Sequence, residues 1–140
     1  KGSWNSNVGS RTRDDCILCL MGTYSDKEKA ITKEVCISCK AGKYSKYHGQ
    51  DSEKDCLLCE PGKYSNGGTT CIECGPGAFS SRMGATACEK CEEGRYSEKY
   101  SSIICTDCRI NSESNLDKTI CECKAGFYKT NYLFPSSPND

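Results

Sequence analysis

The chain has 140 residues, of which only 19 are Leu, Ile, Val or Phe, and its 19 basic side chains balance 19 acidic ones. So little apolar content excludes an ordinary core, whose burial has to offset the entropy of the ordered chain. Zero net charge removes both the self-repulsion that holds charged chains open and the basic field that draws nucleic acid or an anionic membrane surface.

Residues 1–15 contain no cysteine and are rich in Gly, Ser and Asn, the composition of an N-terminal linker. From there on fourteen cysteines, a tenth of the sequence, replace the missing apolar groups, as in a disulfide scaffold. They fall in seven close pairs: Cys16/Cys19, Cys36/Cys39, Cys56/Cys59, Cys71/Cys74, Cys88/Cys91, Cys105/Cys108 and Cys121/Cys123. All are C-x-x-C except the last, which is C-x-C, and the first cysteines recur at intervals of 20, 20, 15, 17, 17 and 16 residues. The pairs divide the chain into repeats at 16–35, 36–55, 56–70, 71–87, 88–104, a degenerate sixth at 105–120 and a partial seventh at 121–128. Residues 129–140, ending in Pro135-Ser136-Ser137-Pro138-Asn139-Asp140, read as a C-terminal tail.

Each pair carries a trailing motif. Gly22, Gly42, Gly62, Gly77, Gly94 and Gly126 stand three residues after the second cysteine, with Asn111 in the sixth unit. Two further on come Tyr24, Tyr44, Tyr64, Phe79, Tyr96 and Tyr128, with Glu113 in the sixth. Serine follows five of these aromatics, at Ser25, Ser45, Ser65, Ser80 and Ser97. The glycine supplies the positive φ of a sharp turn, which asparagine tolerates next best. The aromatic is the one large apolar group that each unit supplies regularly, and it is expected to lie across a disulfide as a miniature core. Lacking it, the sixth unit is expected to be the loosest. The secondary structure predicted is sparse: short extended segments around each glycine, such as Gly42-Lys43-Tyr44-Ser45, paired as two-stranded ribbons, and at most a turn of helix within Asp26 to Lys33.

Gaps of 11 to 16 residues between pairs overlap those of four-cysteine zinc ribbons. Three features favour disulfides instead. Seven pairs would strand one in any two-pair metal site, the single histidine, His48, lies in a polar loop away from cysteine, and a metal knuckle has no use for the repeated aromatic. Redox catalysis calls for one activated thiol rather than seven equivalent pairs. No metal or other cofactor is expected. All fourteen cysteines are candidate disulfide residues, and two connectivities suit a tandem array. Neighbouring pairs can join first to third and second to fourth, as Cys56–Cys71 with Cys59–Cys74; or each second cysteine can join the next first cysteine, as Cys59–Cys71, leaving Cys16 and Cys123 at the two ends. The first scheme is favoured for the last four, as Cys105–Cys121 and Cys108–Cys123.

The stretch Cys56-Leu57-Leu58-Cys59-Glu60-Pro61-Gly62-Lys63-Tyr64-Ser65 resembles the ephrin-receptor-like cysteine-rich repeat, C-x-x-C-P-x-G-x-Y-S. So does Cys71-Ile72-Glu73-Cys74-Gly75-Pro76-Gly77-Ala78-Phe79-Ser80. The resemblance runs from residue 16 to about 128, and more distantly the chain is similar to tumour necrosis factor receptor modules. Its end, Cys121-Glu122-Cys123-Lys124-Ala125-Gly126-Phe127-Tyr128, resembles the close of an epidermal-growth-factor-like module without the final cysteine.

The resemblance implies a small disulfide-rich fold, an elongated tandem array of cysteine-rich repeats with short β-ribbons and little helix. It also implies an extracellular place, secreted or at the cell surface, and no catalytic residues. Each repeat is expected to touch mainly its neighbours. The function expected is a structural or adhesive rod whose partners are other proteins, whether copies of itself or coat and filament components, with no nucleic acid and no membrane insertion within this segment. The alternative is a receptor ectodomain with a binding cluster drawn from Tyr47, Arg95 and Tyr100. Beginning with Lys1, the sequence reads as a mature product or a piece of a longer chain.

Overall fold

The computed structural model describes residues 1–7, 9 and 15–128. The proposed tail and part of the proposed linker lie outside these. Among the described residues the architecture is a series of seven two-stranded antiparallel sheets. The strands are β1 (Ser3–Trp4), β2 (Ile17–Leu18), β3 (Thr23–Tyr24), β4 (Ile37–Ser38), β5 (Lys43–Tyr44), β6 (Leu57–Leu58) and β7 (Lys63–Tyr64). They continue as β8 (Ile72–Glu73), β9 (Ala78–Phe79), β10 (Glu89–Lys90), β11 (Arg95–Tyr96), β12 (Thr106–Asp107), β13 (Ser112–Ser114) and β14 (Cys121–Cys123).

Pairing does not follow the repeat as the sequence divides it. The residue before each aromatic, and the aromatic itself, pair with the two residues between the cysteines of the next unit: Tyr24 faces Ile37, Tyr44 faces Leu57 and Tyr64 faces Ile72. The turn that feeds each strand is local. Lys63 N donates to Glu60 O at 3.2 Å and Ala78 N to Gly75 O at 3.2 Å, with Pro61 and Pro76 in the second place of the turn and glycine in the third. That is the residue pattern of a type II turn, whose third position requires positive φ. The turn glycines have φ between 76° and 87°, and Asn111 has φ 60°.

Bridges follow the same offset. Each second cysteine joins the first cysteine of the next unit: Cys19–Cys36, Cys39–Cys56, Cys59–Cys71, Cys74–Cys88, Cys91–Cys105 and Cys108–Cys121. This corrects the pairing favoured for the last four cysteines: Cys105 is bridged to Cys91, and Cys123 is free, as is Cys16. The closed loops span 12 to 17 residues, each contributing about 3 kcal/mol in the chain-entropy model.

Between the units runs a repeating backbone ladder. The turn glycine's amide donates to the next unit's serine carbonyl, as Gly42 to Ser65 and Gly77 to Ser97, both at 2.7 Å. The next unit's second cysteine returns an amide to the glycine carbonyl, as Cys59 to Gly42 at 3.0 Å. Contacts also reach beyond the neighbour. A Cβ on Gly42 would lie 2.1 Å from Gly84 O, and one on Gly62 would lie 2.2 Å from Ser101 O, each two units along. The expectation of mainly nearest-neighbour contact is therefore extended: hydrogen bonds join adjacent units, and the turns at Gly22, Gly42, Gly62 and Gly77 pack against the second neighbour.

Two expectations are corrected at the ends of the array. The N-terminal segment is not only a linker, because Ser3 pairs with Leu18 and Trp4 with Ile17 in the same geometry as every later ribbon. The sixth unit carries the longest paired segment among the described residues: Ser112–Ser114 against Cys121–Cys123, three residues on each side. Asn115 reinforces it, its Oδ1 accepting from Thr119 N at 2.8 Å and from Ile120 N at 3.3 Å. Single 3-10 turns lie at Lys33–Val35 and Glu53–Asp55, whereas Lys29 in the 26–33 segment has φ 51°. Both turns sit just ahead of a cysteine in the two units with 20-residue spacing, so the extra length is taken up there.

Candidate functional site

The interior is built from sulfur and serine. Cys19, Cys39, Cys59, Cys74 and Cys91 are buried, and Tyr24 forms a buried cluster with Cys39 and Cys56, which are bridged to each other. Tyr24 thus lies against a disulfide in the manner expected of a miniature core. Tyr44, Tyr64, Phe79 and Tyr96 are half-buried, whereas Tyr128 is exposed.

Ser25, Ser45, Ser65, Ser80 and Ser97 are buried more completely than any of the aromatics they follow. Their recurrence was visible in the sequence, but their place at the centre was not. A serine fits because a buried hydroxyl must be bonded and little volume is available. Ser65 Oγ donates to Lys43 O of the preceding unit at 3.0 Å and accepts from Gly67 N at 3.0 Å.

A second positive-φ position recurs four residues after the serine slot, at Lys29, Gly49, Gly84, Ser101 and Lys118. Here the loop turns back onto the preceding unit: Gly49 N donates to Cys19 O, Gly84 N to Cys59 O and Ser101 N to Cys74 O, at 2.7 to 2.8 Å. Mixed residue identity hides this position from a sequence reading. The common spacing is its only signal.

The outer surface divides along the array. In the first four ribbons an aromatic faces an aliphatic: Trp4 with Ile17, Tyr24 with Ile37, Tyr44 with Leu57 and Tyr64 with Ile72. In the last three the partner is polar: Phe79 with Glu89, Tyr96 with Thr106 and Glu113 with Glu122. Ile17, Ile37, Leu57 and Ile72 are each about half exposed, at 47 to 51%.

The three residues put forward as a binding cluster lie in different surroundings. Tyr47 is exposed with Lys46 Nζ 5.2 Å from its ring centre, Tyr100 is exposed beside Gly75, and Arg95 Nε donates to Asp107 at 2.8 Å across its ribbon. Glu53 is held by two lysines, Lys40 at 3.0 Å and Lys43 at 3.4 Å. Hydrogen bonds from Lys40 and then Lys43 hold the Glu53 carboxyl below its ordinary value, and Glu53 raises Lys40 in turn.

Among the described residues no group of three or more His, Cys, Asp or Glu is placed to hold a metal ion, and no helix is long and apolar enough to cross a membrane. Bridges, sheets and repeated backbone contacts define a small disulfide-rich repeat protein. Six disulfides in so short a chain belong to an oxidising compartment. No protein-family model matches the chain, and no curated protein matches it.

Proposed function

We propose that this chain is a non-catalytic extracellular rod, structural or adhesive, that serves as a building block of a cell-surface coat or filament through protein–protein contacts along its length. The supporting observation is that the bridges run in series. Each closes one unit onto the next, with no bridge spanning more than 17 residues. Glycine turns packed against the second neighbour add stiffness to that covalent string. The parts of the unit that repeat in register serve the scaffold, which leaves the residues between them to vary and to meet partners. The resemblance to ephrin-receptor-like cysteine-rich repeats agrees with this reading, as does the oxidising compartment that the bridges require.

Immunogold electron microscopy of the native surface tests the proposal. Regularly spaced label along a coat or fibre is the expected result. Scattered label, together with a soluble monomer that captures one defined protein, would replace the rod by the ligand-binding ectodomain.

A further inference from the structure

Residues Gly2 to Asn5 reproduce the second half of a repeat unit that has no cysteine pair of its own in the sequence. Gly2 has φ 67°, its amide donates to Ser25 O at 2.8 Å, and its carbonyl accepts from Cys19 N at 2.9 Å. These are the bonds that Gly22, Gly42, Gly62 and Gly77 make with the next serine and the next second cysteine. A Cβ on Gly2 would lie 2.2 Å from Gly49 O, two units along, as with the turn glycines further on. Trp4 takes the aromatic slot opposite Ile17. Asn5 takes the serine slot, its amide donating to Ala30 O at 2.9 Å as Ser25 donates to Gln50 O at 3.0 Å. Gly9, four residues on, has the positive φ of the second turn position, at 99°.

Cys16 closes this half-unit. From Gly2 to Cys16 is 14 residues, the same as from Gly22 to Cys36 and from Gly42 to Cys56. Cys36 and Cys56 are bridged to the cysteine three residues before their turn glycine, as are Cys71, Cys88 and Cys105. Cys16 is exposed and unbridged. We propose that Cys16 is a disulfide site of the same series, shaped to take a cysteine placed three residues before Gly2, two positions ahead of Lys1. Its loop would then span 17 residues, as do the two bridges that follow.

Cys123 of a second copy does not fit that place. In the last ribbon Cys123 pairs with Ser112, and Lys124 N makes the bond to Asn111 O that a second cysteine makes elsewhere. Cys123 therefore stands one position short of the bridging slot, and successive strand residues point to opposite faces. An incoming strand would also find Ile17 and Leu18 already paired with Ser3 and Trp4. Closure at Cys16 consumes two thiols and one oxidised glutathione. The added cysteine forms a mixed disulfide with release of one glutathione, and the Cys16 thiolate then displaces the second. Both protons end on the released glutathione thiols.

The test extends the full chain by Cys-Ala ahead of Lys1 and refolds it in a glutathione redox buffer. Two controls carry Ala-Ala, or Ala-Cys with the thiol next to Lys1. Non-reducing peptide mapping with chymotrypsin, which cleaves after Leu18 and separates Cys16 from Cys19, reads the bridges. The six native bridges serve as the measure of folding. The expected result is Cys16 joined to the added cysteine, with free thiols falling from two in the Ala-Ala control to one, and at least a tenfold lower bridged fraction for Ala-Cys. Cys16 remaining alkylatable while the six bridges form, equal bridging in both registers, or a disulfide dimer through Cys123 would each overturn the assignment.

Discussion

Gly62 and Ser101 belong to units two apart, yet a Cβ on Gly62 would lie 2.2 Å from the Ser101 carbonyl oxygen. The turn glycine is thus held by two demands at once: a positive φ, and the close approach of a backbone that is not its neighbour in the array. Gly94 meets only the first demand, since nothing among the described residues comes within 4 Å of its Cβ position. Gly94→Ala is expected to cost about 1–2 kcal/mol, the ordinary penalty of a side chain in the left-handed region. Gly62→Ala is expected to cost roughly twice that or more, because backbone has to move. Thermal unfolding of the two variants checks the difference.

Ser65 shows how little room the interior leaves. Ser65→Ala removes the bonds to Lys43 O and Gly67 N while keeping the volume, and should cost about 1–2 kcal/mol. Ser65→Val adds bulk at a residue that is 1% exposed and should cost more. Equal stability of the two variants in denaturant titration would mean that the hydroxyl, and not the volume, sets the requirement.

Ser101 carries an avoidable cost. It has φ 55°, and its hydroxyl is buried with no hydrogen-bond partner. Ser101→Gly keeps the amide bond to Cys74 O and removes both penalties, at the expense of a more flexible unfolded chain. A net gain of about 1 kcal/mol is expected, seen as a higher melting temperature.

In the last ribbon Glu113 faces Glu122 directly. Like charges across a ladder repel, so Glu122→Lys should stabilise it by about 0.5 kcal/mol. The gain should shrink as salt is raised, because both side chains are exposed. Melting curves at low and high salt read both effects.

The Glu53 carboxylate, bonded to Lys40 and Lys43, titrates below its ordinary value of 4.5. A carboxyl lowered in the folded state contributes stability that is full above that ordinary value and is lost as pH falls through the lowered one. Lys40 is raised, so its share is full below 10.5 and is lost as pH rises beyond. Glu53→Gln should therefore lower the melting temperature slightly at neutral pH, by a margin that shrinks as the solution is acidified. A difference that persists in acid would point to packing rather than charge.

Much of the unit could be read from residue types alone. The cysteine pairs, the turn glycines and Asn111 announce themselves by spacing, because a bridge and a positive φ each need a particular side chain. The half-unit at Gly2 was legible as well, through Gly2-x-Trp4 and the 14-residue step to Cys16, but without a cysteine pair ahead of it the segment passes for a linker. Asp26 to Lys33 has helix-compatible composition, yet the loop turns back at Lys29 to serve the second-turn position instead.

Residue identity by itself determined that covalent bridges replace an apolar interior, that a turn follows each cysteine pair, and that the chain repeats. Which cysteine bridges which, that each strand pairs with the unit after its own, that serine lies at the centre, and that glycines meet their second neighbours were decided only by the tertiary structure. The physical reason is that these are relations between units brought together by stacking. Any cysteine can bridge any other, and the backbone ladder that brings particular units together uses amides and carbonyls that nearly every residue has, so residue identity does not say which groups meet.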